Sequence, residues 1–254
     1  MLGKLRFVFE ACEDGKLRGY GGEAFHGLFF ELFTPIDGEF FGALHSARRK
    51  PFSIYFDGTP EMENGWMRVK KGERFSFVLS VYNNGLLKKV IEGVEVIPHE
   101  ELKLGGIHVR LEGVFPDGAF QKPVVLFRGR LKKEVEFRFL SPTTFRKGKK
   151  HVVFPEPVFV FHSLLSQWDA FPLRKRDVKV EDVLEEILVK RHAIRTELVE
   201  FSRYRVVGFV GRVVYGFPDV ERDVLKWLNA LSRFAVYAGV GYKTTMGLGR
   251  VEVR

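Results

Sequence analysis

Cysteine is nearly absent: Cys12 is the only one in 254 residues. That excludes an internal disulfide framework and a thiolate zinc site, and it fits a reducing compartment. Gln occurs twice (Gln121, Gln167) and Asn four times (Asn64, Asn83, Asn84, Asn229), an amide-poor bias associated with hyperthermophile proteins. No apolar stretch approaches the roughly 18 residues of a membrane span. The short apolar run before Glu10, Glu13 and Asp14 is neither a signal peptide nor a targeting helix. These absences predict a cytoplasmic protein with no membrane partner.

The chain has ordinary globular proportions, 45% hydrophobic and 29% charged, which excludes a disordered or collagen-like chain. Its length allows one large domain or two small ones. The charge is lopsided: 41 Lys plus Arg against 32 Asp plus Glu give a formal +9, the sign expected of a protein that meets a polyanion.

Residues 4–11 read as a strand, with Leu5, Phe7 and Phe9 on one face. Phe25, Leu28, Phe29, Leu32 and Phe33 then fall at helical spacing and Pro35 stops the helix. Asp37 can cap a second short helix carrying Phe40, Phe41 and Leu44, which Pro51 ends before a strand over residues 52–56. Residues 67–69 and 74–81 read as a hairpin around residues 70–73, 86–91 as a helix, and 94–97 and 108–113 as strands. Residues 116–123 read as a linker. The second half repeats the order: a strand at 135–140, a helix at 157–168, another at 182–195, a strand at 205–215, a long helix at 220–238 closed by Gly239, and a strand at 250–253. A β-α-β-β-α-β order read twice predicts an α+β protein of two tandem ferredoxin-like (RRM-like) domains, residues 1–118 and 123–254, with a glycine-rich loop near the C-terminus.

That loop, residues 239–249, is the most informative stretch. Gly239, Gly241, Gly247 and Gly249 let backbone approach an anion closely, with Lys243, Thr244 and Thr245 as donors. Glycines that merely let a loop pack on a sheet would read the same way. A nucleotide-binding P-loop through Lys243 and Thr244 is the rival, but it needs a strand before and a helix after; here the order is reversed, and Tyr242 stands where the second glycine should be. Arg146, Lys147, Lys149 and Lys150, with His151 beside them and Phe145 and Phe154 at the ends, form a basic stretch suited to a phosphate backbone or a stacked base. The cluster at residues 174–176 reads as electrostatic background. His99, His108, His162 and His192 read as structural or solvated, the last within the charged helix at 182–195.

Residues 234–249 resemble the C-terminal glycine-rich signature of the CRISPR repeat-processing endoribonucleases of the RAMP superfamily. Residues 139–146, 155–157, 161–168 and 208–212 are similar to other parts of that family's second domain, so the resemblance covers most of residues 135–254. In the first half, residues 44–52 resemble the stretch carrying the family's catalytic histidine and a nearby basic residue. The resemblance implies a metal-independent endoribonuclease with no cofactor. It would cut CRISPR repeat RNA by 2′-hydroxyl transesterification, leaving a 5′-hydroxyl and a 2′,3′-cyclic phosphate. His45 would be general base or acid, and Lys50, or failing that Arg49, would neutralise the phosphate. His26, on the first helix, is either a second proton-transfer group or an edge histidine. Some members place a tyrosine on that helix where this sequence has Phe30, which cannot transfer a proton. The runner-up is therefore a non-catalytic RNA-binding paralogue or a subunit of a CRISPR effector complex. A homodimer is a further expectation.

Overall fold

The computed structural model describes residues 1–97 and 101–254. The first half runs β1 (Gly3–Ala11), β2 (Gly15–Arg18), α1 (Gly22–Phe33), α2 (Gly38–Ser46), β3 (Phe52–Phe56), β4 (Met62–Glu63), β5 (Trp66–Val69), β6 (Arg74–Val81), α3 (Asn84–Val94), β7 (Glu101–Leu104) and β8 (Ile107–Pro116). The second half runs β9 (Glu134–Thr143), β10 (Phe145–Lys147), β11 (Lys150–Val152), α4 (Pro157–Ala170), β12 (Leu188–Glu200), β13 (Arg205–Gly216), α5 (Arg222–Ala238) and β14 (Val251–Val253). Short 3₁₀ turns occupy Pro123–Phe127, Val180–Glu186 and Thr244–Met246.

β1 is a central strand because it alternates: Leu5, Phe7 and Phe9 are buried while Lys4, Arg6 and Val8 are not fully so. It pairs antiparallel with β6 (Phe7 opposite Phe77) and β8 (Phe7 opposite Val114), giving the sheet order β3-β6-β1-β8-β7. The second sheet runs β12-β13-β9-β14. Within each β-α-β-β-α-β unit the first strand therefore lies between the third and fourth, with the second outside the third, the ferredoxin-like arrangement, built twice. α1, α2 and α3 cover one face of the first sheet, packing Phe25, Phe29, Phe33, Phe41 and Leu86 onto its strands. α4 and α5 cover the second, around Trp168, Phe161, Trp227 and Phe234. Asp37 caps α2 by accepting from the Phe40 N–H (3.0 Å), and Asn83 caps α3 by accepting from the Leu86 N–H (3.0 Å).

Three sequence expectations are corrected. Residues 182–195 are not a helix: Val180, Leu184 and Ile187 are buried from a 3₁₀ turn, and β12 then pairs with β13 along its whole length (Thr196 opposite Phe209, Val199 opposite Val206). The β-branched residues Val189, Ile194, Thr196 and Val199 favour that outcome, and His192 lies on this strand. Residues 94–97 are not a strand. α3 continues through Val94 and closes with the Val96 and Ile97 N–H groups donating to the Gly93 carbonyl (3.0 and 3.1 Å). β5 and β6 are not hairpin partners: the turn between them forms, but β5 joins β2 and β4 in a separate small sheet while β6 takes β1 and β3. His99 lies outside the described residues. Among the described residues, no helix is long and apolar enough to cross a membrane.

The halves share packing. Leu2 and Tyr82, from the first, are fully buried in the second half's core. The Ser53 hydroxyl donates to the Tyr237 carbonyl on α5 (2.7 Å), and Arg250 donates to the Phe56 carbonyl (2.7 Å).

Candidate active site

The glycine-rich loop is shaped by its glycines and by one residue that is not glycine. Gly239, Gly241, Gly247 and Gly249 all have positive φ, and Lys243 joins them at φ 59. A Cβ on Gly249 would lie 2.1 Å from the Val240 carbonyl oxygen, so only glycine fits there. The loop lies between α1 and β3 of the first half. At Gly22, where α1 begins, a Cβ would be 2.4 Å from the Met246 backbone.

This docking brings the candidate groups together. His26, on α1, is buried, and its Nδ1 lies 2.9 Å from the Thr245 carbonyl oxygen. An imidazole nitrogen facing a carbonyl must carry the proton, so Nε2 holds the lone pair. Burial is the largest influence on this ring and lowers its pKa to about 4, against the raising effect of the Thr245 bond; Lys50, His45 and Lys243 push the same way as burial. His45 stands in the last turn of α2, exposed to solvent, with its ring centre 6.2 Å from that of His26. Phe30 packs against both, at 5.1 Å from His26 and 4.6 Å from His45. It fixes the two rings without offering a proton.

Cations surround the pair. Lys50 is half-buried, donates to the Ala47 carbonyl at the end of α2 (2.7 Å), and has its pKa lowered by burial. Arg49 is exposed and donates to the Ser166 hydroxyl of α4. Lys243 has an unusual setting: its ammonium sits 5.0, 5.1 and 5.6 Å from the ring centres of Phe201, Tyr204 and Tyr242, and burial lowers its pKa. Thr244 is buried under Gly239, and Thr245 contributes its carbonyl to His26.

Arg146, Lys147, Lys149 and Lys150 form the β10–β11 hairpin, all exposed, with Lys147 opposite Lys150. Arg146 lies 5.8 Å from the Tyr242 ring centre and His151 5.5 Å. The hairpin and the loop therefore share one aromatic side chain. Arg176, from the other basic cluster, is engaged by Asp169 and Glu181.

Sequence reasoning did not anticipate the rings around Lys243. Phe201 and Tyr204 lie in the β12–β13 turn, which cannot be located when residues 182–195 are read as helix. That turn is fastened to α1, where the Glu23 carboxylate accepts from the Ser202 N–H (2.8 Å) and hydroxyl (2.9 Å). His162 of α4, read as structural or solvated, and Ser163, Ser166 and Gln167, given no role of their own, line a small cavity with Arg49 and Tyr242.

The chain is similar to several known proteins. The family described as CRISPR-associated endoribonuclease Cas6 matches residues 137–251. A Streptococcus thermophilus protein named CRISPR-associated endoribonuclease Cas6 is 24% identical over 119 residues, 45% of this chain and about half (48%) of that protein. A Mycobacterium tuberculosis protein of the same name, strain CDC 1551 / Oshkosh, is 23% identical over 248 residues, 92% of this chain and 71% of that one. A solved Cas6 product complex is 31% identical, covers 100% of this chain and 99% of its own, and superposes with a TM-score of 0.80.

Proposed function

Because the chain belongs to the Cas6 family of CRISPR-associated endoribonucleases, we propose that it cuts CRISPR repeat RNA where the glycine-rich loop meets α1 and α2. The RNA supplies the nucleophile: its 2′-hydroxyl attacks the adjacent phosphorus, the bond to the 5′-oxygen breaks, and the products are a 2′,3′-cyclic phosphate and a 5′-hydroxyl. One proton leaves the 2′-oxygen and one reaches the 5′-oxygen. The scheme uses no metal and no cofactor.

The placement of His45 carries this reading. It is solvent-facing, beside a second histidine that is bonded to the loop. Proton transfer to and from the RNA needs an imidazole that the strand can reach. His26, at about 4, is uncharged at neutral pH and poorly suited to donate a proton. His45 therefore moves the proton, and His26 holds the loop in register with its lone-pair nitrogen fixed. Lys50 keeps two ammonium hydrogens free of Ala47. With Lys243 it supplies positive charge for the crowded phosphorane, and Arg49, Arg146, Lys147, Lys149 and Lys150 hold the strand. Both histidines, the loop and the hairpin come from one chain, so no second copy is required.

One observation favours the alternative of an inactive RNA-binding relative or effector-complex subunit: Phe30 offers no hydroxyl beside the two imidazoles. The same experiment separates the two. Labelled repeat RNA in excess chelator is expected to give one discrete cut ending in a cyclic phosphate. His45→Ala is expected to lower the rate by about 100-fold or more with the Kd for RNA unchanged within about twofold. RNA that is bound but left intact by the unaltered protein would establish the alternative instead.

A further inference from the structure

Beside the candidate site lies a cavity of about 230 Å³, bounded by Arg49, Arg146, Tyr242 and the α4 residues His162, Ser166 and Gln167. Resting on the endoribonuclease reading above, we propose that it seats one unpaired nucleobase of the bound RNA, close to the strand running past His45.

Size and chemistry both point to a single base. Pockets for drug-sized ligands begin near 300 Å³; this one is smaller, while two other clefts, near 770 and 760 Å³, are far larger. A paired base would bring its partner, so the occupant must be splayed out of any helix, the form in which RNA sequence is read by proteins. The wall is aromatic: Tyr242 faces Arg146, and Phe145 stacks on Phe159 at 5.6 Å. Rings and a guanidinium plane are what an unstacked base packs against.

The polar groups fit a base edge better than a phosphate. A phosphate site needs donors alone, whereas this cavity mixes donors with an amide carbonyl, on Gln167, and hydroxyls that also accept. The lining is held by hydrogen bonds among its own residues and by one side chain behind it. The Ser166 hydroxyl takes a hydrogen bond from Arg49, and the Gly241 N–H donates to the Ser163 hydroxyl (3.2 Å). The buried Tyr82 hydroxyl reaches both the Gln167 side-chain oxygen (3.4 Å) and the Lys50 carbonyl (3.0 Å). One phenol thus ties the base-reading residue to the segment that carries His45, Arg49 and Lys50.

The test is a thermodynamic cycle on RNA affinity, measured in the His45→Ala background so that it does not depend on cleavage. Abasic nucleotides are placed one at a time along the repeat RNA. At one unpaired position the abasic change is expected to raise Kd about tenfold. Gln167→Ala is expected to raise Kd for intact RNA about as much, with no further loss when the abasic RNA is used. His162→Ala, at an exposed helix position that leaves folding intact, should show the same non-additivity in smaller measure. Losses that multiply at every position, or no abasic position that matters, would overturn the proposal. Cleavage by the unaltered protein, followed in parallel, tests the endoribonuclease reading separately.

Discussion

His26 gives this protein a pH signature at the level of one side chain. Its pKa is about 4 in the folded chain against 6.5 for an unperturbed imidazole, because burial disfavours the charged ring. Between those values the unfolded chain binds the extra proton, so stability is fully present above about pH 6.5 and is lost as pH falls toward about 4. The loss is on the order of 3 kcal/mol. His26→Gln keeps a donor for the Thr245 carbonyl and removes the titration. Its melting temperature should therefore fall less steeply than that of the unaltered protein between pH 6.5 and 4.5, and equal slopes would rule out the buried neutral imidazole. His45, Lys50 and the loop glycines stood out as candidates in the sequence because each belongs to a contiguous, distinctive stretch, whereas His26 was marked only by its place on the first helix. The rings around Lys243 did not stand out, since Phe201 and Tyr204 lie some forty residues away in sequence and reach the lysine only through the β12–β13 turn.

At the scale of elements, the site depends on two backbones meeting with no side chain between them. Gly22→Ala would put a methyl group 2.4 Å from the Met246 backbone. The loop cannot yield without disturbing Gly247 and the Thr245 carbonyl. The expected cost is about 1–3 kcal/mol, read as a lowered melting temperature. Cleavage should fall more than RNA affinity, because the β10–β11 lysines are untouched. The paired β-α-β-β-α-β order was readable from periodicity, since β1 and α4 each bury one clean face and α1 and α5 carry large apolar residues at helical spacing, although both are buried over more than that one face. β12 was misread because its exposed, charged surface gives no alternation; its identity comes from pairing with β13, a non-local fact. The same holds for β5, whose partner β2 lies on the far side of α1 and α2 in sequence.

At the scale of the molecule, the two ferredoxin-like units do not act as beads on a string. Leu2 and Tyr82 cross into the second core, Glu23 holds the β12–β13 turn, and the loop of the second half is docked on the helix of the first. The residues proposed to meet RNA fall into two electrostatic classes: Lys147, Lys149 and Lys150 stand in open solvent, whereas Lys243 is wrapped by three rings. Added electrolyte screens the first class strongly and the second weakly. Raising potassium chloride from 50 to 500 mM should therefore loosen capture of the substrate while sparing the chemical step, with KM climbing by tenfold or more and single-turnover rates at saturating RNA shifting by less than about threefold. An enzyme so partitioned would keep its cutting speed in a medium of high ionic strength and surrender only its grip.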